Sequence, residues 1–126
     1  MPNQIDKLAV FQALQPILED CSQHLTVVTD EADCYYLDTR HIMKNKKHLF
    51  FGAVQIKKNY VSYHLMPVYV RPSLLDSISE PLRERMHGKS CFNFVRIEPE
   101  LVNELASLTE AGYRFYVEEG YIQRNG

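Results

Sequence analysis

The order of hydrophobic and polar positions predicts helices at both ends of the chain. Apolar residues recur at intervals of three and four between residues 5 and 21, which is typical of one face of an amphipathic helix. Pro16 interrupts this pattern, and because proline removes a backbone donor we expect a kink or two shorter helices. Pro99 begins a second apolar stripe, which predicts a helix that ends at Gly120. Gly112 falls on that stripe, where a missing side chain would permit close approach to the sheet.

Alternating and β-branched residues between these helices predict two antiparallel hairpins. The four runs with strand character are residues 25–29, 34–37, 49–57 and 60–70. The first pair is separated by Asp-Glu-Ala-Asp and the second by Lys58-Asn59. Asparagine tolerates the left-handed conformation that a short hairpin loop needs. Pro67 cannot donate to a ladder, so we expect it at an edge or a bulge.

The remaining segment predicts two short helices and one further strand. Pro72 opens a helical pattern, and Ser79 is placed to cap a second helix. Phe92 and Phe94 then alternate as in a strand. This order predicts an α+β fold, an antiparallel sheet of about five strands with the N- and C-terminal helices packed on one face. We expect one domain over residues 1–126.

Composition narrows the class of protein. The chain has 126 residues, of which 45% are hydrophobic, and its longest apolar runs are far shorter than the roughly 20 residues of a membrane span. The three cysteines, Cys21, Cys34 and Cys91, are an odd and irregularly spaced set, which favours reduced thiols over a secreted disulfide framework. We therefore expect a cytoplasmic protein with no signal peptide and no membrane partner.

Charge is segregated along the chain, although the formal net charge is only −2. Residues 8–39 contain six acids and no Lys or Arg, whereas residues 40–75 contain seven Lys or Arg and no acid. If the fold keeps these segments apart, one surface attracts cations and another attracts anions. Alternatively, the two sets of charges pair across neighbouring strands and cancel.

The acidic segment offers a candidate metal site. Its members near the first helix and the first hairpin are Glu19, Asp20, Asp30, Glu31 and Asp33. If the helix ends beside the hairpin, these carboxylates form an open ridge of hard oxygen ligands, suited to loosely held iron or another divalent ion. A solvated surface with no bound ion is the other interpretation.

The basic segment offers a candidate ligand site over the sheet. Its residues, with those of the later strand, are Lys58, Tyr60, His64, Tyr69, Lys89 and Asn93. They would suit a small ligand or an anion. Exposed aromatic rings beside bases also occur in single-stranded nucleic-acid modules, but the pI of about 6.2 argues against that partner. We also expect self-association as a homodimer through the aromatic edge of the sheet.

No motif predicts catalysis. Gly88-Lys89-Ser90 lacks the earlier glycine and the strand-loop-helix order of a phosphate-binding P-loop. Cys91 has His87 nearby in sequence, but it opens an apolar strand, where a small buried thiol is the common role. We therefore expect a binding protein rather than an enzyme.

Three stretches, residues 49–54, 58–69 and 88–94, resemble the small bacterial YdhG-like proteins. This is a domain family of unknown function, some members of which are described as frataxin-like intracellular iron chaperones. The resemblance implies an α+β fold with a curved antiparallel sheet. It also implies iron handling through acids of the first helix and first strand, for which the matching positions are those of the acidic set. This chain has few acids before Glu19 and departs from the family there. The sequence thus predicts a non-catalytic binding protein, either for iron or for a small ligand.

Overall fold

The computed structural model describes residues 6–123, which form a five-stranded sheet, four α-helices and two 3₁₀ turns. The strands are β1 (Thr26–Glu31), β2 (Cys34–Ile42), β3 (His48–Ile56), β4 (Val61–Leu65) and β5 (Cys91–Phe94). The α-helices are α1 (Lys7–Glu19), α2 (Met66–Val70), α3 (Glu80–Arg83) and α4 (Pro99–Glu118), and the 3₁₀ turns are Ser22–His24 and Pro72–Leu75. The predicted α+β class is confirmed.

The sheet is a meander in which the spatial order of the strands, β1-β2-β3-β4-β5, is their order along the chain. Every neighbouring pair is antiparallel, including the two predicted hairpins. The register shifts within the β2 and β3 pair, where Leu37 faces Gly52 but Asp38 faces Phe50. This irregularity lets Phe51 and Gly52 both face the covered side of the sheet, while Phe50 faces the other side.

Helices α1 and α4 pack on the same face of the sheet. A Cβ atom on Gly52 would lie 3.1 Å from a side-chain carbon of Leu18, which places α1 over β3. The hydroxyl groups of Tyr63 and Thr109 are 2.6 Å apart and buried, which places α4 over β4. Tyr63 pairs with Val54, which is two residues from Gly52, so positions 52 and 63 point to the same face of the sheet. Both helices therefore cover one face, as predicted.

Helix α1 is one continuous helix, although Pro16 lies within it. Gln12, whose carbonyl would otherwise accept from residue 16, is exposed, as is Pro16. The unbonded carbonyl therefore lies on the solvent side, where water replaces the missing donor. The helix begins after Asp6, whose carboxylate accepts from the backbone amide of Ala9 at 3.0 Å.

The sequence prediction was wrong after residue 65, because the fourth strand does not extend to Val70. β4 ends at Leu65, and Met66–Val70 form helix α2 with Pro67 in its first turn. Proline cannot donate to a ladder but fits the first turn of a helix, so it ends the strand. Gly112 does permit a close approach, but to α2, since a Cβ atom there would lie 2.8 Å from the Cβ of Pro67.

The segment before β5 is held to the start of α4. Ser79 caps α3 through the amide of Leu82, as predicted, at 3.3 Å. Arg85 donates two hydrogen bonds of 2.7 Å to the carboxylate of Glu98. The backbone amide of His87 donates to the carbonyl of Cys91 at 2.9 Å. These contacts place His87 beside the first residue of β5.

Candidate functional site: a cavity on the open face of the sheet

The sheet face opposite α1 and α4, which we call the open face, carries polar and aromatic side chains. Residues paired across antiparallel strands point to the same face, and alternate residues share it. The register therefore places two rows on this face: Cys34, Gln55, Ser62 and Asn93 in one row, and Tyr36, Ala53, His64 and Cys91 in the next. Most of these side chains are only partly buried.

A cavity of about 310 Å³ lies over these rows, and we call it the open-face cavity. Its lining residues are Tyr36, Phe50, Ala53, Gln55, Lys57, Tyr60, Ser62, His64, His87, Cys91 and Asn93. Ala53 and Ser62 are small and are 4% and 9% exposed, whereas larger side chains surround them. The depression exists because two adjacent central strands each place a small residue where their neighbours place a large one.

Polar groups converge on one end of the open-face cavity. Asn93, Gln55 and Ser62 supply amide and hydroxyl donors from one row of the sheet. Burial raises the pKa of Cys91, and the charge of Lys57 offsets part of this rise. The thiol of Cys91 therefore stays protonated at neutral pH.

Aromatic rings form the other end. Tyr36 and Phe50 are stacked, with centroids 4.7 Å apart and an interplanar angle of 28°. The ring of His64 meets Phe50 edge-on, at 4.9 Å and 77°. Burial raises the pKa of Tyr36, and the charge of Asp38 adds to this effect, so a carboxylate lies near the ring end.

His64 is fixed in orientation by a hydrogen bond to Ser90, in which Nε2 and Oγ are 2.7 Å apart. Burial lowers the pKa of His64, so the imidazole is neutral at neutral pH. Ser90 is only 7% exposed and does not line the open-face cavity. This contact therefore positions the imidazole from behind.

Three of the six ligand-site residues predicted from sequence line the cavity, namely Tyr60, His64 and Asn93. Lys58, Tyr69 and Lys89 are absent from its lining. Tyr69 lies on α2 and is 54% exposed. The sequence analysis included it in the site because it predicted a strand that continues to residue 70. The neighbouring Lys57 lines the cavity in place of Lys58.

The sequence analysis missed the residues that β2 and β3 contribute. Tyr36, Phe50 and Gln55 line the cavity together with residues far away in sequence. Alternation along β2 and β3 would identify the face of Tyr36 and Gln55. The position of Phe50 depends on the register shift beside Gly52, which the alternation pattern does not reveal.

The acidic residues predicted to bind metal are not assembled into a site. Between residues 6 and 123, no three or more His, Cys, Asp or Glu side chains are grouped so that they could hold a metal ion. Glu19 and Asp30 are brought near one side chain, since both raise the pKa of Tyr35, after the larger effect of its burial. The donor set does not fit a bound iron ion, and the iron hypothesis stays a prediction of the resemblance.

The acidic and basic segments do not neutralise each other through ion pairs. The salt bridges among the described residues, Arg85 with Glu98 and Arg114 with Glu110, all lie outside the two segments. Within residues 6–123, then, no salt bridge joins the acids of residues 8–39 to the bases of residues 40–75.

A larger groove, of about 700 Å³, lies between α1 and α4. Cys21 lines it, and burial raises the pKa of this thiol to about 11, with smaller contributions from Asp20 and Glu110. The lining carries both signs of charge, since it includes Arg114, which forms a salt bridge with Glu110, together with Asp20.

Comparisons with known proteins add no family or function to this geometry. None of the helices within residues 6–123 is long and apolar enough to cross a membrane. No protein-family model matches the chain, and neither a curated protein nor a solved structure matches it.

Proposed function

We propose that this protein binds a small anionic ligand in the open-face cavity. The observation that carries the proposal is the charge of the lining: it contains the cation of Lys57, and none of its residues is acidic. A cavity with a cation and no carboxylate favours a negatively charged ligand.

The neutral donors of the cavity complement the cation. Asn93 and Gln55 each carry two amide N–H groups, and Ser62 and Tyr60 each carry a hydroxyl. Gln55 uses an N–H group in a contact of 3.3 Å with the sulfur of Cys34, which holds the amide in place. Hydrogen bonds to a charged acceptor are stronger than neutral ones, so these donors add both orientation and affinity.

The turn at the polar end of the cavity is held by hydrogen bonds to its backbone carbonyls. Lys7 donates from its ammonium group to the carbonyls of Lys57 and Lys58, at 2.9 and 2.8 Å. These bonds fix the turn between β3 and β4 through main-chain atoms. The side chain of Lys57 can therefore be replaced without removing this contact.

The chain offers a matched test of the cation. We would titrate the ¹⁵N-labelled protein with ribose 5-phosphate and follow the amide signals of Ser62 and Asn93. Lys57→Gln should weaken binding about tenfold, because an ion pair in a partly enclosed site is lost. Lys58→Gln removes the same charge outside the cavity and should change affinity less than twofold. Equal effects of the two variants, or shifts confined to other surfaces, would contradict the proposal.

A second pair adds a charge instead of removing one. Asn93→Asp places a carboxylate in the cavity with almost no change of shape, whereas Asn59→Asp places it in the adjacent turn. We expect the first variant to lose more than tenfold in affinity for ribose 5-phosphate and the second less than threefold. Retained binding in Asn93→Asp would place the ligand elsewhere.

A further inference from the structure

The open-face cavity has two chemically different ends, and this arrangement specifies more than a negative charge. Tyr36, Phe50 and His64 form one end, while Lys57 stands at the other. Resting on the proposed function, we infer that the ligand is a planar aromatic or heteroaromatic ring joined to an anionic group. The ring packs against Tyr36 and Phe50, and the anion faces Lys57.

The ring end is suited to a planar group because its own rings are already in contact. Tyr36 stacks on Phe50 and Phe50 meets His64 edge-on, so the three rings need no rearrangement to present a joint surface. Tyr36 and Phe50 are only partly buried, and both line the cavity. A third planar ring stacked on such a surface gains affinity that a saturated ring of equal size does not.

The charges define the orientation of the ligand. Asp38 lies near Tyr36 and adds to the rise in its pKa, which burial chiefly causes, so an anion at the ring end would be repelled. Phe50 lies near the start of β3 and Lys57 directly follows its end, so the cation stands at the opposite end of the cavity. The ligand should therefore lie with its ring toward β2 and its anion toward the turn between β3 and β4.

The dimensions select ligands of modest length. Ala53 and Lys57 are four residues apart on and just beyond β3, which corresponds to about 13 Å of extended chain. The lysine side chain shortens this span, and the volume of about 310 Å³ suits one planar ring system with its anionic arm. Aromatic carboxylates and nucleoside monophosphates share this chemistry. A polymer is disfavoured, because the cavity lining supplies one lysine and no arginine.

Two matched ligand pairs test the inference by calorimetry. AMP is compared with ribose 5-phosphate, which lacks the base, and benzoate with cyclohexanecarboxylate, whose ring is saturated. We expect the aromatic member to bind at least tenfold more tightly in at least one pair, and the pair that shows this identifies the source of the ring. A preference below threefold in both pairs would overturn the inference.

Variants separate the inference from the proposed function. Phe50→Leu and Tyr36→Leu should each reduce the ring preference to less than threefold and leave the saturated or ringless ligand unaffected. Tyr69→Leu, an exposed tyrosine outside the cavity, is the control and should keep the preference. Circular dichroism checks that each variant is folded, and either leucine variant alone suffices for the test.

The two proposals fail differently. If ribose 5-phosphate and cyclohexanecarboxylate bind in a Lys57-dependent way but no ring preference exists, only the inference fails. If none of the four ligands binds, the proposed function fails as well. If AMP fails to bind while an adenylate oligomer binds through Tyr36 and Phe50, the ligand is a single-stranded nucleic acid and the inference is overturned.

Discussion

The two faces of the sheet are built from the same strands but serve different purposes. On the covered face, Tyr63, Phe92 and Phe94 are almost completely buried. On the open face, their immediate neighbours Ser62, His64 and Asn93 line a cavity. Because successive side chains of a strand alternate between faces, one sequence can specify the core and the cavity independently. The comparison predicts that neighbouring positions differ sharply in their contribution to stability and binding.

The largest contrast is expected within β5. Phe92→Ala removes a fully buried ring and should lower the free energy of unfolding by about 3–5 kcal/mol. Asn93→Ala, one residue away on the open face, should change it by less than about 1 kcal/mol. Urea denaturation followed by circular dichroism measures both. Similar losses in the two variants would show that the faces are not independent.

The packing of α4 gives the next largest effect. Gly112→Ala would place a Cβ atom 2.8 Å from the Cβ of Pro67, so α2 or α4 must shift. We expect a loss of about 1–3 kcal/mol from overpacking, despite the higher helix propensity of alanine. Asn103→Ala, an exposed position on the same helix, is the control for propensity and should be stabilised by about 0.5 kcal/mol. A stabilised Gly112→Ala variant would mean that the contact is loose.

Removing one tyrosine hydroxyl from each face tests the same contrast with a smaller chemical change. Tyr63→Phe leaves the buried hydroxyl of Thr109 without its partner and should cost about 1–2 kcal/mol. Tyr36→Phe on the open face removes a hydroxyl that water can solvate and should cost less than about 0.5 kcal/mol. Adding Thr109→Val to Tyr63→Phe should recover part of the loss, which a double-mutant cycle in urea would measure.

The smallest effect is a pH dependence on the open face. Because burial lowers the pKa of His64 below 6.5, the unfolded chain binds a proton more readily than the folded protein. Stability from this group is present above pH 6.5 and falls as the pH drops toward the folded pKa. The urea midpoint of the native protein should therefore fall more between about pH 7.5 and about pH 5 than that of His64→Gln.

A second titrating group marks the lower limit of that measurement. The hydrogen bonds from Arg85 lower the pKa of Glu98 below 4.5. Its contribution to stability is present above that value and is lost only as the pH falls further. Above pH 4.5, the difference between the native protein and His64→Gln therefore reports on His64, and an equal midpoint change in His64→Gln would show that another group is responsible.

The sequence was most informative where local chemistry decides structure. Both hairpins, the cap at Ser79 and the helix after Pro99 follow from residue types at adjacent positions, and all are present. The end of β4 was missed because the β-rich run through Tyr69 outweighed the signal from Pro67. The cavity was found only in part, since it depends on which residues face one another across strands. His64 and Asn93 lie on β4 and β5 and Tyr60 directly precedes β4, whereas the places of Tyr36 and Phe50 required the actual register.

The meander order of the strands has a consequence for how the protein folds. Each strand pairs with its neighbour in the chain, so β1 to β4 can form by successive local zippering, and only α1 and α4 must meet across most of the chain. Contacts between residues near in sequence favour rapid folding. We therefore expect Val54→Ala, in the central hairpin, to slow folding, and Leu18→Ala, in α1, mainly to speed unfolding, which stopped-flow kinetics would resolve. The aromatic and cationic ends of the cavity would then be joined early, before the helices close over the opposite face.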